Sequence, residues 1–226
     1  MLPQELDKSG IVNNDYIDVV FGRRAVRMLD PDFKIERSEI EQMIQEAIVS
    51  TPSAVDTQPF MFLIVDTDEG KAKLNDIMRI VDKDRVNKCS FAVVPFADRN
   101  WFEYFDEHIA REKQACPEGW PPEVENVIVP LTYDWYVELS EGDGSYLDKS
   151  VNFQAGMVSM SFQNAVRAHG YDCGVMDSWD PQLLGEAFGI DLDRYIPQVA
   201  IAVGKKLGGF DPARYRYPAN EKIVWG

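Results

Sequence analysis

The feature that most restricts how this chain can fold is a stretch from about Tyr146 to His169 that reads as a helix with apolar residues on more than one side. Val151, Phe153, Met157, Val158, Met160 and Phe162 do not fit on a single stripe, so the helix has no face to give to water. In a chain of 226 residues it either runs through the middle of the domain or is covered by a second subunit. Gly170 is placed to stop it at its carboxyl end, and the methionines along it read as core rather than as a cofactor box.

Shorter elements alternate around this helix. Ser38 followed by Glu41 has the form of a capping box, and Ile40, Met43, Ile44, Ala47 and Ile48 continue at helical spacing. A loop, TPSAVDTQP, leads into the buried-strand run FMFLIV at 60–65. Leu74, Ile77, Met78 and Val81 form a second helical stripe, and FAVVPF at 91–96 is a strand whose Pro95 implies an edge or an exit from the sheet. A helix near 100–115, a short helix at Pro181–Phe188 and a strand at 197–204 complete the pattern. With no internal repeat and no linker, residues 1–226 read as one domain of α+β or α/β class. Residues 99–146 hold Trp101, Phe105, Trp120 and further aromatic residues, which form either a satellite cluster under a long loop or a lid over a flat ligand. The tail at about 205–226 is polar, yet Tyr215, Tyr217 and Trp225 imply that it docks, on a partner subunit.

Charge excludes some partners. The net charge of −15 opposes nucleic acid and anionic membrane surfaces. Residues 21–28 nevertheless carry +3 through Arg23, Arg24 and Arg27, and residues 204–216 carry +3 through Lys205, Lys206, Arg214 and Arg216 against Asp211; removing both from −15 leaves −21. Arginine suits a phosphate because its fixed fork gives two parallel charge-assisted bonds, although a solvated face paired with acids would account for the same residues. Three cysteines without a CxxC pair argue against a disulfide framework and for a reducing cytoplasm. No secretory leader and no apolar run of spanning length is expected. His169 and Cys173 are four apart without a second pair, so the expectation is no metal, a surface histidine and a small buried thiol.

The usual signatures of nucleotide cradles and hydrolases are missing: there is no Walker loop, no GxGxxG after a strand and no GxSxG elbow. A chain without an evident nucleophile can still be an enzyme when a bound cofactor carries the chemistry. Over roughly residues 12–226, FGRRAVR, PSAVDTQPF about thirty residues later, Asp148 opening the long helix, GYDCGVMDSWDP, IPQVAIAVGKK and the tail ARYRYP resemble, in shared order and spacing, the FMN-dependent nitroreductase family.

The resemblance implies an α+β three-layer sandwich with a central mixed sheet, forming an intertwined homodimer with FMN at the subunit interface. Carried over to this sequence, it places Arg23, Arg24, Arg27, Arg214 and Arg216 at the FMN phosphate. It places Pro52, Ser53, Ala54, Asp56 and Gln58 beside the flavin or its ribityl chain from the other subunit, and Met176, Asp177 and Ser178 where backbone N–H groups approach the redox-active nitrogen. Two departures stand out. Ala25 replaces a serine of many relatives, and Asp56 stands where the family usually has asparagine. An ionised Asp56 would disfavour anionic reduced flavin; burial or an arginine partner would offset that. The implied activity is ping-pong transfer of reducing equivalents from NADH or NADPH to a small planar acceptor, a nitroaromatic or quinone, with Trp101, Phe105 and Trp120 capping it. A flavin-binding or ligand-sequestering protein with little turnover is the alternative.

Overall fold

The fold follows from where the alternating apolar residues are driven. In a computed structural model, residues 5–116, 118–142, 144–208 and 215–226 are described. In chain order the elements are α1 (Arg37–Ser50), β1 (Phe60–Val65), α2 (Asp68–Ile77), α3 (Ile80–Lys88), β2 (Phe91–Asp98), α4 (Phe105–Ala115), α5 (Val129–Glu141), α6 (Ser145–Ala168), β3 (Asp172–Met176), α7 (Pro181–Phe188), β4 (Tyr195–Pro197) and β5 (Ala200–Gly204). The sheet runs β1-β2-β5-β3, with β4 also pairing with β2. Period-two alternation divides β2 and β5 between two cores. Ala92, Val94, Phe96, Ala200 and Ala202 pack with Leu74, Val86 and Leu184 of α2, α3 and α7. Phe91, Val93, Ile201 and Val203 pack with Met43 and Ala47 of α1 and with Val158, Phe162 and Val166 of α6. Helices therefore cover both faces of the sheet, as a three-layer α+β sandwich requires.

Several expectations are corrected. Among the described residues the ladders between the strands are all antiparallel rather than mixed, and a parallel relation survives only as the Ala25–Cys173 bridge. Pro95 is in the middle of β2, not at its end. There the neighbour changes from β5, paired with 91–93, to β4, paired with 96–98, so the missing proline N–H falls at a gap between ladders. The Pro95 carbonyl on that side accepts from Gln198 N at 2.9 Å. The strand at 197–204 is divided into β4 and β5 for the same reason, because each pairs with a different part of β2. The stripe through Val81 is broken at Met78–Arg79, whose extended backbone lets Met78 bridge to Trp179 and leaves Ile80 and Val81 exposed. Ser38 caps nothing: α1 begins at Arg37 with Glu36 as its N-cap, and Arg37 is tied to Asp66 at 2.5 Å.

The long helix is where the sequence placed it, and it ends as expected. Gly170 adopts φ +79°, with Gly170 N donating to Arg167 O and Tyr171 N to Val166 O, both at 3.0 Å, the paired bonds of a Schellman motif. One chain does not cover the helix all round: Tyr146, Phe153 and Met160 are exposed, at seven-residue intervals along one side. His169 is buried rather than on the surface, because both ring nitrogens are taken by carboxylates of α1. No helix among the described residues is long and apolar enough to cross a membrane.

Candidate functional site

The loop after α1 is built against the long helix. Thr51 Oγ1 donates to Ala47 O at 2.6 Å as α1 ends, and a short 3-10 turn follows at Ala54–Asp56. Val55, Asp56 and Gln58 have φ of 50°, 54° and 50°, a left-handed conformation that costs non-glycine residues about 1–3 kcal/mol each. Side chains hold it there. Ala54 N donates to Gln154 Oε1 at 2.8 Å, Gln58 N to Ser53 Oγ at 2.9 Å, and Thr57 Oγ1 to Ala54 O at 2.7 Å. Pro52, Ser53 and Ala54 then form one wall of a groove of about 470 Å³, with Tyr136 of α5 and Tyr146, Lys149, Ser150, Phe153, Gln154 and Met157 of α6 opposite. Asp56 is exposed, and no arginine pairs with it among the described residues.

The basic segment at the amino end is laid against the far edge of the sheet. Val26 N donates to Cys173 O at 2.9 Å, Asp30 N to Lys205 O at 2.8 Å and Leu207 N to Met28 O at 3.0 Å, so the two basic stretches meet through their backbones. Gly174 makes the approach possible, because a Cβ there would lie 2.2 Å from Val26 O. Arg23 and Arg24 are half-buried, with Arg23 Nη1 donating to Gln163 Oε1 of α6 at 3.3 Å, and Arg27 is exposed. Arg216 is exposed and donates to Tyr215 O at 2.8 Å. Arg214 lies outside the described residues.

A buried cation stands behind this edge. Arg85 is 6% exposed, donates through Nη1 to Val175 O at 2.9 Å and faces Asp82 at 3.4 Å, yet its Nε has no hydrogen-bond partner. Burial, set against Asp82 and reinforced by Arg27, draws its pKa below the usual guanidinium value. The backbone leaves β3 at Met176, which is buried, and runs to Asp177, which is exposed, and half-buried Ser178, whose carbonyl accepts from Arg79 N at 2.8 Å. Arg85 and Gln154 were not among the residues singled out from the sequence. Gln154 left a signal, a polar residue at a buried position of an apolar helix. Arg85 left none, since it is one basic residue in a charged helix.

The aromatic stretch packs on itself. Trp101 and Phe105 are 3% and 5% exposed, with Trp101 5.0 Å from Tyr136 and Phe105 4.6 Å from Tyr133 between ring centroids. They belong to a third core with Val129, Leu147 and Val151, which is the satellite-cluster arrangement, and neither presents its ring to the groove. Trp120 is half-buried, with the Lys113 ammonium 5.8 Å above its ring. The rings that do line the groove are Tyr136, Tyr146 and Phe153. Burial pushes both buried thiols up, Cys89 to about 11 and Cys173 to about 12, which disfavours the nucleophilic thiolate.

Comparison with known proteins agrees with this arrangement. YdgI of Bacillus subtilis, provisionally named as an NAD(P)H nitroreductase, is 31% identical over 218 residues, spanning 95% of this chain and 99% of its own. The CLA biosynthesis enone reductase of Lactiplantibacillus plantarum is 30% identical over 204 residues, spanning 86% of this chain and 87% of its own. The crystal structure of a chain assigned as a nitroreductase from Exiguobacterium sibiricum, in complex with FMN, superposes with a TM-score of 0.82 at 30% identity, covering 95% of this chain and 98% of that one. The model of the nitroreductase family matches residues 20–205, and with that match the chain belongs to the nitroreductase family.

Proposed function

We propose that the protein is an FMN-dependent oxidoreductase that passes two electrons from NADH or NADPH to a small planar acceptor, working as a homodimer. The observation that carries this reading is the sheet edge where Arg23, Arg24 and Arg27 are laid beside β3. There a buried guanidinium nitrogen of Arg85 lacks a partner, and Arg27 lies close enough to depress that guanidinium further. Neighbouring cations with an orphaned N–H fit an anionic group, and a flavin mononucleotide supplies one in its phosphate. The names of relatives support the same reading, since they include NAD(P)H nitroreductases, an NAD(P)H-flavin oxidoreductase and an enone reductase.

FMN, when bound, supplies two-electron chemistry with the balance NAD(P)H + H⁺ + acceptor → NAD(P)⁺ + reduced acceptor. The chain's own residues bind and orient. Arg23, Arg24, Arg27 and the tail arginines Arg214 and Arg216 would hold the phosphate, and Pro52, Ser53, Ala54, Asp56 and Gln58 would face the ring system of the partner's site. The backbone at Met176, Asp177 and Ser178 offers N–H donors where negative charge develops. Trp101 and Phe105 support the wall from behind, Trp101 through its contact with Tyr136.

What one chain leaves uncovered supports the homodimer. Tyr146, Phe153 and Met160 on α6, and Tyr215, Tyr217, Val224 and Trp225 in the tail, are all exposed. Apolar surface so placed costs free energy in water and is relieved by a second copy. The test is anaerobic: the purified protein should be yellow and its visible absorbance should bleach on addition of NADH or NADPH. A colourless protein that takes up no added FMN would overturn the proposal. Bound FMN without bleaching would support a flavin-sequestering protein instead.

A further inference from the structure

The groove between the 52–54 loop and α6 holds a charged group that the reading above leaves unused. Among the described residues, Lys149 is the only charged one lining it, beside the aromatic and apolar side chains of Tyr136, Tyr146, Phe153 and Met157. In a chain with 38 acidic and 23 basic residues, a groove with one cation and no carboxylate is a local reversal of sign. Nearby Asp148 is engaged elsewhere, by Arg99 Nε at 2.6 Å and Nη2 at 2.9 Å, and no carboxylate pairs with Lys149 among the described residues. The polar groups deeper in the groove satisfy one another. Tyr136 OH lies 3.3 Å from Ser150 Oγ, Gln154 Nε2 donates to that oxygen at 3.3 Å, and Gln154 Oε1 takes Ala54 N at 2.8 Å. The Lys149 ammonium, with three donors, is left for a ligand.

We propose that Lys149 selects acceptors carrying a carboxylate, whose flat apolar body lies against Tyr136, Phe153 and Met157 while the anionic end reaches the ammonium at the rim. This rests on the oxidoreductase function proposed above and takes the groove, walled by the 52–54 loop, as the acceptor side of the flavin site. Removing the apolar body from water supplies most of the affinity, and the rim charge decides between acceptors of similar shape. The net charge of −15 opposes anions at long range, so a local cation is what lets a carboxylate approach the groove.

The test uses the protein as purified, with tryptophan fluorescence titrated by para-nitrobenzoate and by the neutral para-nitrobenzamide; Trp135 lies 5.7 Å from Tyr146 of the groove. The carboxylate should bind more tightly than the amide. Lys149→Gln should reduce that preference about tenfold, Lys149→Arg should keep it and Lys149→Glu should invert it. Lys73→Gln, at an exposed position of α2 outside the groove, is the control for nonspecific charge effects. An unchanged preference in both Lys149→Gln and Lys149→Glu overturns the proposal. So does a change confined to NADPH relative to NADH, which assigns the ammonium to the donor's phosphate. Steady-state reduction of the same pair, ArNO₂ + NADH + H⁺ → ArNO + NAD⁺ + H₂O, keeps the two readings apart. If neither compound is reduced, the oxidoreductase reading falls, while the titration still decides the role of Lys149.

Discussion

His169 is fully enclosed, yet its Nδ1 lies 3.1 Å from Glu39 Oε1 and its Nε2 3.0 Å from Glu46 Oε1. Burial disfavours the charged ring, but the hydrogen bonds to Glu46 and Glu39 outweigh it and raise the pKa above its ordinary 6.5. A raised folded-state value means that the imidazolium stabilises the fold fully below the ordinary value and that this contribution is lost as pH rises through the raised one. Thermal melts across that window should fall with pH, and His169→Gln should flatten the dependence, at about 2–4 °C per kcal/mol for a chain this size. Asp56 acts in the other compartment of the molecule. It is exposed, has no arginine partner among the described residues, and stands in the loop proposed to face the flavin. Asp56→Asn should therefore raise the flavin midpoint potential, by about 5–20 mV for an exposed charge, measured by spectroelectrochemical titration. Both residues could be named from the sequence, but their environments could not. A histidine in a polar stretch looks like a surface group until two glutamates from a helix more than a hundred positions away close on it.

At the scale of elements, two glycines carry different loads. Gly170 ends α6 in a left-handed conformation, with Val12 Cγ2 2.9 Å from where a Cβ would be. Gly170→Ala should cost about 1–2 kcal/mol in urea unfolding. Gly174 instead admits another segment: its missing Cβ is what lets Val26 O come close. Gly174→Ala should push the arginine segment off β3, with a loss of about 1–3 kcal/mol and a lower ratio of flavin to protein absorbance after purification. The first role was legible, since glycine after a long apolar helix is a local stop signal. The second was not, because nothing near GYDCGVM in sequence says that residues 25–26 will lie against it. Pro95 teaches the same distinction: a missing N–H reads as an edge, whereas the fold placed it where two partner strands hand over within a central strand.

At the scale of the whole molecule, the exposed side of α6 is the strongest argument for a second copy. Phe153→Glu, at a position 70% exposed in one chain, should shift the mass in solution from twice 25.7 kDa to the single value and lower FMN content with it, as read by light scattering on a size-exclusion column. The sequence by itself determined the helix, its length and its end, the two main strand runs, the division of charge into an acidic background with two basic islands, and the family. These depend on spacing along the chain and on motifs, which local order preserves. Only the tertiary structure decided which faces were left bare, that Trp101 and Phe105 became core while Tyr136, Tyr146 and Phe153 lined the groove, that Gln154 came to hold the 52–58 loop, and that Arg85 was buried behind β3. Those outcomes depend on which distant segments compete for the same apolar surface and the same hydrogen bonds. That competition is resolved only when α1, β3 and α6 are packed together.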